Sequence, residues 1–307
     1  MQVALLGTGC PVVSLERFGP ATLVEKGRHA VLVDCGSGVT QRLLAAGCPG
    51  AYLDAILLTH LHSDHLVDLY QIVISSWHQG RERPQKVYGP PGTKRYVEGL
   101  IKLWAPERKQ RVAWEQRDSD EGLRVEVEEL EPGRVLEIGE MRITVIEVEH
   151  KPVPHAYGFI FETGRKARGK KGAAKNGMGH KVAISGDTRR CPALIKAARG
   201  ADLLIHEVFV HSDMPVIEGR RSAKTISNVA SYHTLSSEVG GIAAEAKAKT
   251  LVLTHFVPPE ADRESLLAQV SEGFSGPVVL GEDLMRFDLE AGSLVYGALH
   301  MTLPGAE

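Results

Sequence analysis

Short apolar runs alternate with helix-type segments along almost the whole chain. VALLGTG, ATLVEK and HAVLVDCG are typical of strands, with glycine-containing breaks after the first and the third. VTQRLLAAG is typical of a short helix that Gly47 ends, and LVDLYQIVISSWH has apolar residues at helical spacing. Strands are also predicted for LDAILLT and QKVYGPPG, and a helix for TKRYVEGLIKLW. The first third of the chain therefore predicts alternating strands and helices.

The same alternation continues toward the C-terminus. LRVEVEEL places Leu123, Val125 and Val127 on one face and charged residues on the other, which predicts a half-buried strand. MRITVIEV, YGFIFE, KVAISGD, ADLLIHEV and KTLVLTH are further predicted strands, and PALIKAARG and SSEVGGIAAEAKA are predicted helices. Because strands and helices are mixed throughout, without a fixed repeat, we expect a single α/β domain over residues 1–307.

One segment departs from this pattern. GRKARGKKGAAKNGMGHK, residues 164–181, is rich in glycine, lysine and arginine and almost lacks apolar residues. It is predicted to be a flexible basic insertion between two strands. Its candidate substrate contacts are Arg165, Lys166, Arg168, Lys170 and Lys171, which could bind phosphates. A solvated loop without a ligand is an equally good interpretation.

Composition narrows the class of protein. Of the 307 residues, 43% are hydrophobic and 24% are charged, as in an ordinary soluble globule. The net charge of −2 argues against a polyanion binder that uses its whole surface, but it allows a local basic patch. The sequence shows no membrane-spanning stretch, no signal peptide and no CxxC pair among its four cysteines. A reduced, cytoplasmic protein is therefore expected.

Candidate chemistry is concentrated in THLHSDH, directly after an apolar run. This segment brings His60, His62, Asp64 and His65 into one short stretch. Residues two apart point to nearly opposite sides of a helix, whereas on a turn just beyond a strand all four side chains can converge. Histidine and aspartate are zinc ligands. The cluster therefore predicts a metal site rather than a polar loop with incidental histidines.

Three more ligand-type residues follow apolar runs in the same way. His150 ends IEVEH, Asp187 lies in ISGDT and His255 lies in LVLTHF. One such residue alone is weak support, since strands often end in a polar side chain. Three of them at the same end of their runs predict ligands gathered at one edge of a sheet, where α/β proteins place their sites.

These residues carry a family resemblance. THLHSDH is similar to the HxHxDH signature of the metallo-β-lactamase superfamily. LLGTGCP, VDCGSGVTQRLL, VYGPPGT, EHKPVPHAYGF, SGDT, LLIHEVF, SYHT and LVLTHF occur in the order seen in the ribonuclease Z-like branch, so that the resemblance covers nearly the whole chain. It implies an α/β fold of the αββα type, with two facing mixed sheets, outer helices and two metal ions at one edge.

The resemblance also implies a ligand set. One metal ion would be held by His60, His62 and His150, the other by Asp64, His65 and His255, and Asp187 would bridge the two. Nitrogen and oxygen ligands without a thiolate suit two Zn²⁺ ions, although Mn²⁺ or Fe would also accept them. Cys35 is expected to be a packed thiol. Asp34 and Thr59 are expected to hold ligand histidines through their free N–H groups.

The implied chemistry is hydrolysis by a metal-bridging hydroxide. Two metal ions that share a water lower its pKa toward about 7 and polarise the oxygen of the ester under attack. Asp64 would orient the hydroxide as well as bind metal. Glu207 in HEVF and His233 in SYHT match the acid pair of ribonuclease Z-like proteins, so His233 would protonate the leaving oxygen while Glu207 holds its ring. A helix-capping role is the alternative for His233.

Three functions stay open from the sequence. The leading hypothesis is a ribonuclease Z-like phosphodiesterase, with cleavage at the 3′ end of tRNA as its narrowest form. The insertion is shorter than the tRNA-binding arm of such enzymes, and HEVF departs from their HEAT string. The alternative is a sulfate ester hydrolase, because SGDTRRCPALIKAARGADLLIHEVF resembles arylsulfatase-type members. A non-enzymatic binding protein is disfavoured by the intact ligand set. RNA is an expected partner, a membrane is not, and a homodimer is implied by resemblance only.

Overall fold

Strands and helices alternate through the computed structural model of the chain, which describes residues 1–164, 179–219 and 221–303. The strands are β1 (Gln2–Gly7), β2 (Ala21–Lys26), β3 (His29–Val33), β4 (Ala55–Leu57), β5 (Gln85–Gly89), β6 (Val125–Glu129), β7 (Val135–Ile138), β8 (Met141–Glu147), β9 (Tyr157–Glu162), β10 (Lys181–Ile184), β11 (Leu203–Phe209), β12 (Thr250–Val257), β13 (Val278–Leu280), β14 (Arg286–Asp288), β15 (Ser293–Tyr296) and β16 (Leu299–Thr302). The α-helices are α1 (Val39–Ala45), α2 (Leu69–His78), α3 (Thr93–Leu103), α4 (Ala105–Glu115), α5 (Pro192–Ala197), α6 (Ala223–Ala230), α7 (Ser236–Glu245) and α8 (Arg263–Gly273).

The strands form two mixed sheets. The nine-stranded sheet has the order β16-β15-β14-β1-β2-β3-β4-β5-β6, and the seven-stranded sheet has the order β13-β12-β11-β10-β9-β8-β7. In the first sheet the neighbours from β3 to β6 are parallel and the others are antiparallel. In the second sheet the neighbours from β10 to β13 are parallel and the others are antiparallel.

Alternating side chains on these strands divide the apolar core into layers. On β1, Val3 and Leu5 belong to the cluster between the sheets, whereas Ala4 and Leu6 pack with the helices outside the first sheet. This follows from the twofold period of a strand, which sends successive side chains to opposite faces. Residues of α1, α2 and α3 cover the first sheet, and residues of α5, α7 and α8 cover the second. The predicted αββα sandwich is confirmed.

Each element predicted from the apolar pattern is present within a few residues of its expected position. The helices α4, α6 and α8 and the strands β7 and β13 to β16 were not predicted. These strands have only three or four residues, too few for a clear alternation. Helix α4 has no fully buried residue, so its sequence lacks the regular apolar stripe by which a helix is predicted.

The basic insertion lies between β9 and β10, as predicted. Its two ends meet, because the Thr163 N–H donates a hydrogen bond to the His180 carbonyl oxygen at 3.0 Å. In return the His180 N–H donates to Thr163 Oγ1 at 3.2 Å. The candidate substrate contacts Arg165, Lys166, Arg168, Lys170 and Lys171 lie outside the described residues.

Some predictions about the whole molecule are not decided by this architecture. Among the described residues, no helix combines the length and the apolar character needed to cross a membrane. The single domain over residues 1–307, the cytoplasmic location and the homodimer stay predictions.

Candidate metal centre

Seven ligand-type side chains meet where the two sheets face each other at one edge. His60 follows β4 of the nine-stranded sheet, whereas His150 and Asp187 follow β8 and β10 of the seven-stranded sheet and His255 lies in β12. The residues form two groups whose ligand atoms lie within 4.8 Å of one another: His60, His62, His150 and Asp187 in one, and Asp64, His65 and His255 in the other. These are the groups that the family resemblance implied. Their role in binding metal stays a prediction.

Asp187 lies between the two groups. Its Oδ2 atom is 3.9 Å from the Nε2 atoms of both His60 and His150. The same oxygen is 3.4 Å from the Nε2 atoms of His65 and His255. Asp187 therefore approaches both groups, as a bridging carboxylate must.

The centre has the features of a cation site. His60 Nε2, His65 Nε2 and Asp187 Oδ1 are buried and find no hydrogen-bond partner among the residues that the structure describes. Buried polar atoms are normally satisfied, and leaving one without a partner costs about 1–3 kcal/mol. A cluster of imidazole nitrogens and a carboxylate oxygen that lack protein partners fits divalent cations such as zinc. The residues present therefore fit the metal ions that the resemblance implies.

The THLHSDH segment forms a turn, as its spacing predicts. A short 3-10 helix, Ser63–His65, carries Asp64 and His65 back toward β4. Asp34 lies just beyond β3, and its Oδ2 accepts a hydrogen bond from His65 Nδ1 at 2.8 Å and from Thr59 Oγ1 at 2.8 Å. Thr59 Oγ1 is also 3.0 Å from His60 Nδ1. Asp34 and Thr59 thus hold two of the candidate ligands, as expected.

Unusual backbone conformations help to place these side chains. His255 is the extra residue of a β-bulge, since Thr254 pairs with Glu207 while Phe256 pairs with Val208. Its φ is 47° and that of Asp34 is 61°, in the left-handed region that non-glycine residues rarely adopt. A bulge redirects a side chain that a regular strand would send to the other face. The bulge therefore turns His255 toward the centre.

Gly186, directly before Asp187, has a backbone requirement of a different kind. Its φ is 60°, and a Cβ at this position would lie 2.5 Å from the Tyr157 carbonyl oxygen. Only glycine tolerates both the conformation and the close approach. The end of β10 can therefore pass close to the backbone of Tyr157 in β9, and this places Asp187 at the centre.

Burial and neighbouring charges shift the ionisation of the centre. Burial lowers the pKa of His60 well below its usual value, and the nearby His65 adds to this effect. Burial also opposes charge on His65, but the carboxylates of Asp187 and Asp34 outweigh it and raise the pKa of His65. Burial would raise the pKa of Asp187, yet His255 and His65 hold it well below its usual value. Asp187 is thus ionised and His60 neutral, both of which favour a cation, whereas His65 must lose its proton before its Nε2 can bind one.

His233 and Glu207 form the predicted pair beside this centre. His233 Nδ1 lies 2.9 Å from both carboxylate oxygens of Glu207, and both residues are buried. Burial opposes charge on His233, but Glu207 outweighs it and raises the pKa of His233 to about 9. Since Nδ1 is engaged, Nε2 is the nitrogen left to serve a substrate. His233 also lies within 4.8 Å of Asp187 and His255 by its ligand atom.

Two supporting contacts were not predicted from the sequence. The Tyr232 carbonyl oxygen lies 2.9 Å from His150 Nδ1, which leaves Nε2 of that ring facing the centre. The Thr188 N–H donates to Glu207 Oε1 at 2.8 Å. Both contacts use backbone atoms, which every residue possesses, so no residue type in the sequence could have identified them.

The centre opens to solvent on the side of His62, which is its exposed member. A cavity of about 510 Å³ lies beside His233 and is lined in part by Arg189, Arg190 and Leu235. A larger cavity of about 700 Å³ lies at the other end of β3, around Arg28 and His29. Neither cavity is lined by a candidate metal ligand, but the smaller one is lined by His233 and therefore lies beside the predicted acid pair.

Comparison with known proteins adds an independent observation. A family model described as "Beta-lactamase superfamily domain" matches residues 29–256. The chain is 35% identical over 294 residues to ribonuclease Z of Mycobacterium bovis, an alignment that covers 94% of this chain and 98% of that protein. The structure of the metallo-beta-lactamase fold protein YhfI from Bacillus subtilis matches with a TM-score of 0.68 at 24% identity, and the short form of human tRNase Z with 0.66 at 21%. Each match covers 94% of this chain and 99% of the other chain, and both show the fold alone.

Proposed function

Because the chain belongs to the metallo-β-lactamase superfamily, and ribonuclease Z is among its relatives, we propose that it is a binuclear zinc-dependent phosphodiesterase that cleaves RNA. Cleavage at the 3′ end of tRNA is the narrowest form of this proposal. The observation that carries it is the convergence of two groups of ligand-type side chains on the single carboxylate of Asp187.

The proposed ligands divide as the two groups do. One zinc ion would be held by His60, His62 and His150, and the other would be held by Asp64, His65 and His255. Asp187 would bind both ions. Metal ions in such a pair activate water and polarise the phosphoryl oxygen when they are bound. Mn²⁺ or Fe would suit the same nitrogen and oxygen donors. The buried atoms without hydrogen-bond partners support this assignment.

Asp64 and His233 would act directly on the reacting groups, and Glu207 would act through His233. Asp64, whose side chain is 12% exposed, would accept a hydrogen bond from the attacking water and so orient it. His233 would donate the proton on Nε2 to the leaving oxygen, since its Nδ1 is engaged by Glu207. Glu207 is itself held by the Thr188 N–H. General acid catalysis of this kind contributes about 10²- to 10⁴-fold to a rate.

The identity of the ester decides between the two enzymatic hypotheses. A relative named ribonuclease Z, 35% identical over most of the chain, favours a phosphodiester and does not favour the sulfate ester alternative. RNA is therefore the substrate class that we propose.

A substrate panel tests the proposal. Zinc-loaded protein should contain about two metal equivalents and should hydrolyse bis(p-nitrophenyl) phosphate and a precursor tRNA transcript, but not p-nitrophenyl sulfate. Mapping the tRNA product ends would test the narrower form. Turnover of the sulfate ester alone would show that the substrate is a sulfate ester and not a phosphodiester. Zinc-loaded protein that hydrolyses none of the three substrates would contradict the assignment as an enzyme.

The basic insertion needs a separate test. If Arg165, Lys166, Arg168, Lys170 and Lys171 contact RNA phosphates, deletion of residues 165–175 should weaken precursor-tRNA cleavage while small-diester turnover survives. A deletion variant that cleaves precursor tRNA like the wild type would instead favour a solvated loop.

A further inference from the structure

Helices α3 and α4 carry an exposed surface that the metal chemistry does not use. We call the exposed residues Lys94, Arg95, Lys102, Lys109 and Trp114 the α3–α4 surface. On α3, Arg95 and Lys102 are seven residues apart and share one face of the helix, opposite the buried Val97. This geometry directs two of the cations outward together.

Helix α4 also turns one face inward and one outward. Arg108 donates a hydrogen bond to the Leu123 carbonyl oxygen, and Val112 packs against the cluster of Tyr70, Ile74, Trp77 and Leu123. Trp114, two residues after Val112, lies on nearly the opposite face of the helix, and Lys109 is exposed at the flank of the inward face. The α3–α4 surface follows two adjoining helices, because Leu103 and Ala105 are separated by a single residue.

The charge of this segment contrasts with that of the whole chain. Residues 93–117 contain seven basic and three acidic side chains, a local net charge of +4, whereas the chain carries −2. Arg111 and Arg117 form ion pairs with Glu115. The four cations of the α3–α4 surface form none with any residue that the structure describes. They are available to a polyanion.

The aromatic residues of this segment point to a ligand with flat apolar groups. Trp114 is 87% exposed, which is unusual for so large an apolar side chain. Trp104 is 41% exposed and stacks on Tyr70 with ring centroids 4.8 Å apart. Exposed aromatic rings between cations are the arrangement that binds unpaired bases and the adjoining phosphates.

A second copy of this chain is the competing occupant, and the charge disfavours it. A twofold interface brings the same patch of both copies together. Such an interface would place two segments of net charge +4 against each other, and like charges across an interface are destabilising. A polyanion has the complementary charge.

The surface begins beside the candidate metal centre. Gly92, directly before α3, packs close to Leu61, because a Cβ added at Gly92 would lie 3.1 Å from Leu61 Cδ1. Leu61 in turn separates the candidate ligands His60 and His62 in the sequence. The Tyr96 hydroxyl donates a hydrogen bond to the Leu66 carbonyl oxygen at 3.5 Å. An RNA strand cleaved at the metal centre can therefore continue onto α3 without crossing the protein.

We propose that the α3–α4 surface binds the RNA substrate outside the scissile bond, with its cations on phosphates and Trp114 stacked on an unpaired base. This inference rests on the proposed function, since it assumes an RNA substrate. Each cation that neutralises a phosphate releases counterions, so that the logarithm of affinity falls linearly with the logarithm of salt concentration. Stacking contributes to affinity with little dependence on base identity.

The test compares two sets of neutralised cations. Binding of a fluorescein-labelled precursor tRNA transcript is followed by fluorescence anisotropy between about 50 and 200 mM salt. Replacing Arg95, Lys102 and Lys109 by Gln should reduce the salt slope by about 2 to 3. Trp114→Ala should weaken binding about 5- to 100-fold, and Trp114→Phe should restore most of it. Turnover of bis(p-nitrophenyl) phosphate should stay at the wild-type level in every variant.

The matched control neutralises the same number of exposed cations on the far layer of helices, as Lys196→Gln, Arg199→Gln and Lys247→Gln. It should bind RNA like the wild type. Equal losses in both triple variants would show a general charge effect and overturn the inference. The inference would also be overturned if light scattering showed that Trp114→Ala converts a dimer to a monomer, because the surface would then bind a second copy of this chain. Wild-type protein that cleaves the small diester but binds no RNA would overturn the RNA substrate as well, which separates the two failures.

Discussion

Asp34→Asn is the change that isolates how the protein holds a candidate ligand without touching the ligand. Asp34 is buried, and its Oδ2 accepts from both His65 Nδ1 and Thr59 Oγ1 while its Oδ1 accepts from the Thr59 N–H. Asparagine has the same shape and tolerates the left-handed conformation that this position requires. The fold should therefore survive the substitution.

The asparagine amide can satisfy only part of this arrangement. Its oxygen must face the Thr59 N–H, since a backbone donor cannot reverse its role. The amide nitrogen then faces His65 Nδ1, and that nitrogen has to become an acceptor. The His65 proton moves to Nε2, the buried atom that we assign to zinc. A hydrogen bond to a charged acceptor contributes about 1.5–3 kcal/mol, and we therefore expect zinc affinity to fall about 10- to 100-fold.

Zinc titration against a competing chelator measures this loss, with thermal unfolding of the metal-free protein as a check on folding. Asp68→Asn is the matched control, because Asp68, three residues after His65, accepts from Thr40 N and Oγ1 at 2.7 and 2.8 Å and makes no hydrogen bond to a histidine among the described residues. It should keep wild-type zinc affinity. The reasoning is wrong if Asp34→Asn binds zinc like the wild type, or if both variants lose affinity equally.

Three further outcomes are expected. His233→Ala should lower kcat on bis(p-nitrophenyl) phosphate by about 10²- to 10⁴-fold while metal content stays constant; loss of metal would show that His233 is a ligand. Treatment with EDTA should abolish hydrolysis and lower the melting temperature, with recovery on adding zinc, because the buried ligand atoms lose their partner; unchanged stability would contradict the fit. Phe161→Ala, in the core between the sheets, should cost about 3–5 kcal/mol in urea unfolding, and a smaller loss would mean that this layer repacks.

Local patterns predicted much of the sandwich because burial on one face leaves a periodic trace. LRVEVEEL became the half-buried β6, and VTQRLLAAG became α1. The C-terminal strands β14 to β16 left no such trace, since each pairs over only three or four residues. Helix α4 is a comparable case, because its contacts involve few apolar side chains and its exposed face is polar apart from Trp114.

The sequence by itself determined which chemistry was available. THLHSDH and the ligand-type residues after three other apolar runs are visible in the sequence itself. They are local features, since each depends only on residues that are neighbours in the chain. Tertiary structure alone decided which side chains meet. His62 and His150 are 88 residues apart in the chain, and only the facing of the two sheets brings their ring nitrogens to 3.5 Å. The bulge at His255, the Tyr232 carbonyl and the Thr188 N–H likewise depend on strand pairing and backbone position, which no residue type encodes.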